Sequence, residues 1–209
     1  MTPQAALDRG LGELEMALPA GTREKLLAYL ELLAKWNKSF NLTAIRDPLR
    51  MVSHHLLDSL AVLRELPAGP LADVGSGAGL PGIPIAIAEP QRAVTLNDAN
   101  HKKGSFLRQA VIELDLANSQ VHVGRAESWR PIERFAVVIS RGFAELADFI
   151  AACRHLIGPG GVIAAMKGVH PRNEIARLAA GGCDCSDVRS IAVPLLQAER
   201  HLVMCRVDP

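Results

Sequence analysis

Aromatic residues are scarce in this chain: one tyrosine, two tryptophans and five phenylalanines make up 4% of 209 residues. Leucine, isoleucine, valine and alanine must therefore fill its core, and the length suffices for one ordinary α/β domain with a small appendage. Net charge is nearly absent, +1 from 23 basic and 22 acidic residues. That balance neither recruits nor excludes nucleic acid, and it is unlike the strongly basic balance of a dedicated nucleic-acid binder. Long apolar runs are missing. "GLPGIPIAIA" and "FAVVIS" fall far short of the roughly 20 residues that cross a bilayer, so no membrane contact is expected. Residues 1–21 lack a basic stretch followed by an apolar one, so no secretory signal is read and a cytoplasmic setting is expected. Cysteine is limited to Cys153, Cys183, Cys185 and Cys205. Only Cys183 and Cys185 are close, at a spacing that structural zinc sites do not use. Four free thiols in a reducing compartment and no metal site are the expectation.

Repeats, low-complexity tracts and Pro/Gly-rich linkers are also absent, which favours one compact unit. "TREKLLAYLELLAKWNK" puts Leu26, Leu30, Leu33 and Asn37 on one helical stripe, with Leu27 and Ala34 beside it and Thr22 as N-cap. "DPLRMVSHHLLDSLAVLREL" opens with Asp47-Pro48, a good start for a helix, and repeats Val52, Leu56, Leu60 and Leu63. His55 and Asp58 then fall three apart on one face, within touching distance. Residues 1–66 are read as an N-terminal helical cap, and 67–209 as an α/β core. In the core, "LADV", "AVTLND", "SQVHV", "FAVVIS" and "GVIAAMK" read as strands, with "HKKGSFLRQAVIELDLA" and "AELADFIAACRHLIG" as helices between them. That alternation predicts a mostly parallel, Rossmann-like sheet. "DVRSIAVP" and "RHLVMCRV", with no comparable helix expected between them, predict a terminal antiparallel pair.

The densest signal is "LADVGSGAGLPG" (71–82), with four glycines in eight residues directly after a strand. Glycine lets a ligand approach the backbone, and Gly77-Ala-Gly79-Leu-Pro-Gly82 formally satisfies the dinucleotide fingerprint GxGxxG, a weak match alone. Asp98, at the end of the next strand, suits a ribose diol in any adenosine cofactor. Asp73 discriminates. A carboxylate there repels a pyrophosphate at the adjoining helix N-terminus, where anions normally bind, and favours a cationic ligand. S-adenosyl-L-methionine carries a sulfonium and an ammonium, has no phosphate, and offers a ribose to Asp98. The alternative, a ligand-free turn, accounts poorly for four glycines flanked by acids at two strand ends.

"NLTAIRDPLRMVSHHLLDSLAVL", "DVGSGAGLPGIPIAI", "VTLNDANHKK", "RAESW", "SRGF" and "MKG" together resemble, in order and spacing, the bacterial small-subunit ribosomal RNA guanine-N7 methyltransferases (the RsmG or GidB family). The resemblance runs from about Trp36 to Gly168, with "RHLVMCRV" similar to the family's last strand. It implies a class I methyltransferase that uses S-adenosyl-L-methionine to methylate N7 of a guanine in 16S ribosomal RNA near the decoding site. By position it implies that Gly75, Gly77 and Leu80 line the methionine and sulfonium end, Asp98 holds the ribose, and Ala126 and Glu127 flank the adenine. Arg141 is implied beside the cofactor and the target base as an orienting residue. Asn97, His101, His54 and Gly142 depart from the family's usual apolar residue, glycine, basic residue and alanine.

N7 of guanine has an in-plane lone pair and no proton at neutral pH, so the transfer needs no general base. No residue is therefore expected to be essential through acid–base chemistry. The 16S RNA or the small ribosomal subunit would be the partner of a monomeric enzyme. Lys102, Lys103 and Arg108, with Lys38 and Arg46 from the cap, are the candidate RNA contacts; solvated helix faces are the plainer reading of the same charges. A methyltransferase acting on a small molecule or protein would share the cofactor half. A nicotinamide oxidoreductase and a non-catalytic cofactor-binding module are the remaining alternatives.

Overall fold

A computed structural model describes residues 1–143, 145–180 and 183–206. Ala144 and Val207, at the ends of an expected helix and strand, lie outside the described residues. The chain opens with α1 (Pro3–Glu13) and α2 (Thr22–Phe40). Gly21, in the left-handed region at φ 78°, is the cap of α2, and Thr22 is its first helical residue rather than its N-cap. Leu26, Leu30, Leu33 and Asn37 are buried, as their spacing requires.

The next helical stretch is not the single α-helix its periodicity suggests. Asp47 caps α3 (Pro48–Met51), then Val52–Leu57 widens into a π-helix, and α4 (Asp58–Leu60) closes it. The wider turn changes which side chains share a face, with consequences for the site.

The core follows as β1 (Leu71–Val74), α5 (Gly82–Ala88), β2 (Val94–Asp98), α6 (His101–Glu113), β3 (Ser119–Val123), β4 (Phe135–Ser140), α7 (Leu146–Cys153), β5 (Ile157–Lys167), α8 (Arg172–Ala180), β6 (Asp184–Ser190) and β7 (His201–Arg206). The strands form one sheet in the order β3-β2-β1-β4-β5-β7-β6, with β1 to β5 parallel and β7 antiparallel to both neighbours. The expected terminal antiparallel pair is present. Two helices escaped the sequence reading. α5 is an apolar run without a polar face, because all seven of its residues are buried, and α8 separates β5 from β6. Residues of α1, α2 and the π segment join Ile83, Leu96, Phe106 and Leu107 in one apolar cluster on one face of the sheet. A second cluster, with Leu146 and Phe149 against Ala72, Val74 and Val138, fills the other face. The helix absent between β3 and β4 is replaced by a 3-10 turn at Ala126–Ser128.

The expectation of four free thiols is corrected. Cys185 on β6 and Cys205 on β7 are joined by a disulfide, leaving Cys153 and Cys183 free. Antiparallel pairing brings together residues that are 20 apart in sequence, which spacing alone conceals. Alkylation in denaturant without reductant is expected to label only Cys153 and Cys183, with all four labelled after reduction. Four labels before reduction, read by mass spectrometry, would remove the bridge.

Candidate active site

β1 and β4 are neighbours, yet the chain leaves β1 toward β2 and enters β4 from the opposite side, and open α/β sheets bind ligands at such a switch point. Here the glycine loop leaves β1. Gly75, Gly77 and Gly79 have φ of 70°, 59° and 85°, a region L-residues avoid. These glycines do different work. A Cβ on Gly75 or Gly77 would meet nothing nearer than 3.8 Å, an ordinary van der Waals contact, so packing does not crowd these two. A Cβ on Gly79 would strike Ile83, and one on Gly82 would strike Leu96 and come 2.7 Å from Asp73 Oδ2. Gly79 and Gly82 are therefore packing glycines, and Gly75 and Gly77 form the approachable wall.

Asp73 lies beneath that wall rather than on it. Its side chain is fully buried; Oδ2 accepts the Ser76 hydroxyl and the Gly82 amide (2.9 Å), while Oδ1 has no partner. From there the carboxylate shapes the loop, and any effect of it on a cationic ligand would act through its charge. Burial pushes its pKa up to about 6 against the lowering effect of the Ser76 and Gly82 bonds and of Arg141. Leu80 is likewise part of the apolar core, 4% exposed, so its side chain backs the loop instead of lining an open cleft. Tyr29 of α2, which the sequence reading missed, donates its hydroxyl to the Ala78 carbonyl at 2.7 Å and ties the cap to the loop.

Asp98 closes the other side. Its Oδ2 accepts the Gly77 amide (2.9 Å) and its Oδ1 the Asn100 amide (2.8 Å). Each oxygen keeps acceptor capacity for a hydroxyl. Asn100 caps α6 by accepting from the Lys102 and Lys103 amides, and Lys103 Nζ stands 3.9 Å from Asp98 Oδ2. Lys103 is thereby placed over the glycine loop, whereas Lys102 and Arg108 are exposed on α6. Asn97 donates to the carbonyls of His122 and Gly124 and pins β3 to β2. Past it, Ala126 is buried and Glu127 exposed on the 3-10 turn. The backbone fit to an adenosine cofactor is therefore sound: two open glycines, a carboxylate able to take a diol, and a buried negative charge.

On the far side of the β4 end lies a pocket of about 310 Å³ between cap and core, lined by Ile45, His54, Asp58, Arg141, Lys167 and Arg200 among others. Asp58, 2% exposed in its side chain, receives Arg141 Nη1 on Oδ2 (3.0 Å) and Arg200 Nε on Oδ1 (2.7 Å). Arg141 Nη1 also donates to the His54 carbonyl at 2.8 Å. The expected His55–Asp58 contact is not made, because the π segment turns His55 toward Thr43, whose hydroxyl lies 3.0 Å from its Nε2. Burial, reinforced by Arg141, pushes the His55 pKa down to about 4. Arg200 was missed in the sequence because its place in the pocket depends on β7 pairing with β5. Lys167 pairs with Glu174 at 3.0 Å. Lys38 and Arg46 are exposed on a neighbouring hollow that shares Ile45 with this pocket. Among the described residues no cluster suited to a metal occurs and no helix is long and apolar enough to cross a membrane.

The family model for rRNA small subunit methyltransferase G matches residues 22–203. The chain belongs to this family. Ribosomal RNA small subunit methyltransferase G of Laribacter hongkongensis is 50% identical over 203 residues, 97% of this chain and 98% of that protein. The protein of the same name from Aromatoleum aromaticum is 52% identical over 205 residues, 96% and 97% of the two chains. A solved glycopeptide N-methyltransferase complexed with S-adenosyl-L-methionine superposes with TM-score 0.63 at 12% identity, covering 74% of this chain and 88% of that one. At that identity the likeness establishes the methyltransferase fold.

Gly142 has room for a side chain: a Cβ there would come no nearer than 3.9 Å to Gly75 O. Gly142→Ala is expected to leave the melting temperature within about 1 °C, whereas Gly82→Ala should overpack the loop by about 2 kcal/mol and lower it by about 4–8 °C. Equal melting temperatures for the two variants would contradict the division of the glycines.

Proposed function

We propose that the protein transfers the methyl group of S-adenosyl-L-methionine to N7 of a guanine in 16S ribosomal RNA near the decoding site, acting as a monomer in the cytoplasm. The observation that carries this reading is the pairing of an open glycine wall, Gly75 and Gly77, with Asp98 fastened to that wall by the Gly77 amide, in a chain of this family. When bound, S-adenosyl-L-methionine supplies a methyl group activated on a positively charged sulfur. The chain's own residues have no proton to move at N7. In keeping with this, His55 is neutral and engaged by Thr43, and the Asp58 carboxylate is held between two arginines. What remains is orientation, worth roughly 7–11 kcal/mol when two reactants are held in line. The cap supplies it by fixing the loop through Tyr29 and Arg141 through His54 and Asp58. Lys102, Lys103 and Arg108, with Lys38 and Arg46, are the proposed phosphate contacts of the RNA.

Labelled methyl transfer to small ribosomal subunits lacking their N7-methylguanine, beside naked 16S RNA, tests the proposal. Label in a single N7-methylguanine supports it, and the comparison identifies particle or free RNA as the acceptor. Cofactor binding without transfer to either would move the acceptor to small molecules or proteins.

A further inference from the structure

Resting on that reading, we infer that the pocket between cap and core is a phosphodiester site for the RNA strand, with Arg200 and Arg141 as its donors and Asp58 as the residue that positions both.

The first observation is the state of the two guanidinium groups. Arg141 uses Nη1 on Asp58 and the His54 carbonyl. Arg200 uses Nε on Asp58 and Nη1 on the Glu199 carbonyl. Among the described residues, Arg141 Nε and Nη2 and Arg200 Nη2 make no hydrogen bond, although both side chains are only a quarter exposed, at 25% and 24%. These remaining donors keep solvent access at the pocket wall, where the planar fork of a guanidinium suits a phosphate.

The second observation is charge. Arg141, Arg200 and Lys167 face Asp58 and Glu174, three cations against two carboxylates in ion pairs. Burial lowers the His54 pKa against the raising effect of the Arg50 carbonyl, which favours its neutral form. One positive charge is left over, which a single phosphodiester neutralises.

The third is location. The pocket lies beside the end of β4, whose Ser140 and Gly142 approach Gly75 of the cofactor wall. It also shares Ile45 with the hollow that bears Lys38 and Arg46. A strand held by those cap residues would therefore have the pocket as its neighbour. Asp58 is a positioning residue here: one buried carboxylate, one arginine on each oxygen, sets both forks at once.

The same donors could serve the carboxylate of the cofactor, and the test separates the two sources. Arg200→Gln should raise KM for undermethylated small subunits about tenfold, the loss of one charged hydrogen-bonded contact. It should also reduce the slope of log KM against log salt by about 0.7, the counterion term for one phosphate of a single strand. S-adenosyl-L-methionine affinity, measured by calorimetric titration, should be unchanged. Arg200→Lys keeps the charge and the Asp58 pair, so it should retain the salt slope while still raising KM through loss of the fork. It also keeps the proposal testable if Arg200→Gln does not fold. An unaltered slope in Arg200→Gln, a slope reduced equally in Arg200→Lys, or loss confined to cofactor affinity would each overturn the phosphodiester site. If the wild-type protein methylates no RNA, the failure lies in the functional reading instead.

Discussion

Asp98→Ala should weaken S-adenosyl-L-methionine binding by about a hundredfold or more, because it removes two things at once. The carboxylate is the proposed acceptor of the ribose diol, and charged hydrogen bonds contribute about 1.5–3 kcal/mol each. Its Oδ2 also holds the Gly77 amide and its Oδ1 the Asn100 amide that begins α6, so the open wall loses its anchor along with the ligand. Asp98→Asn, which keeps one acceptor oxygen, should fall between the variant and the wild type. Calorimetric titration measures both. Affinity in Asp98→Ala within about threefold of wild type, a difference of about 0.7 kcal/mol, would exclude a ribose role. Lys103 stands 3.9 Å from the same carboxylate, and its ammonium would be left without that partner.

Asp73→Asn should separate stability from binding. The side chain is fully buried and burial raises its pKa to about 6. The sign follows from linkage. A carboxyl whose folded pKa lies above its unfolded value favours the folded state most when protonated, so its contribution is full below about pH 4 and is lost as pH rises through about 6. Above that, the folded chain carries the cost of a buried charge. Asparagine can keep its carbonyl oxygen where Oδ2 accepts from Ser76 and Gly82, but its amide then occupies the partnerless Oδ1 position, which offsets part of the gain. The variant should therefore be more stable than wild type by about 1 kcal/mol at pH 8, some 2–4 °C in melting temperature. The difference should narrow toward pH 4. Cofactor affinity should fall by about tenfold with loss of the negative charge under a cationic ligand. A variant less stable than wild type at pH 8 would show that the ionised carboxylate stabilises the loop.

The strands were legible because a buried parallel sheet writes itself as short β-rich runs. "LADV", "SQVHV" and "FAVVIS" coincide with β1, β3 and β4 to the residue. α5 was not, because a helix buried on every side has no polar face to set a period. The stretch 47–66 was misread in one respect: its apolar spacing fits an α-helix, and the π turn in its middle is visible only in the side-chain directions it changes. His55 and Asp58 would have met on a regular helix. Instead His55 reaches Thr43, and Asp58 reaches two arginines 83 and 142 residues away.

The sequence by itself determined the alternating α/β core, the helical character of the first third, the glycine loop with its two acids, and the family to which these belong. Those are local patterns or ordered motifs, and short-range sterics and burial suffice to impose them. Tertiary structure decided which glycines are uncrowded and which face Ile83 and Leu96, that Asp73 lies under the loop, and that Cys185 joins Cys205. It also decided that Arg141, Arg200 and Asp58 form one cluster, since those three come together only when the cap, β4 and the approach to β7 are packed in place.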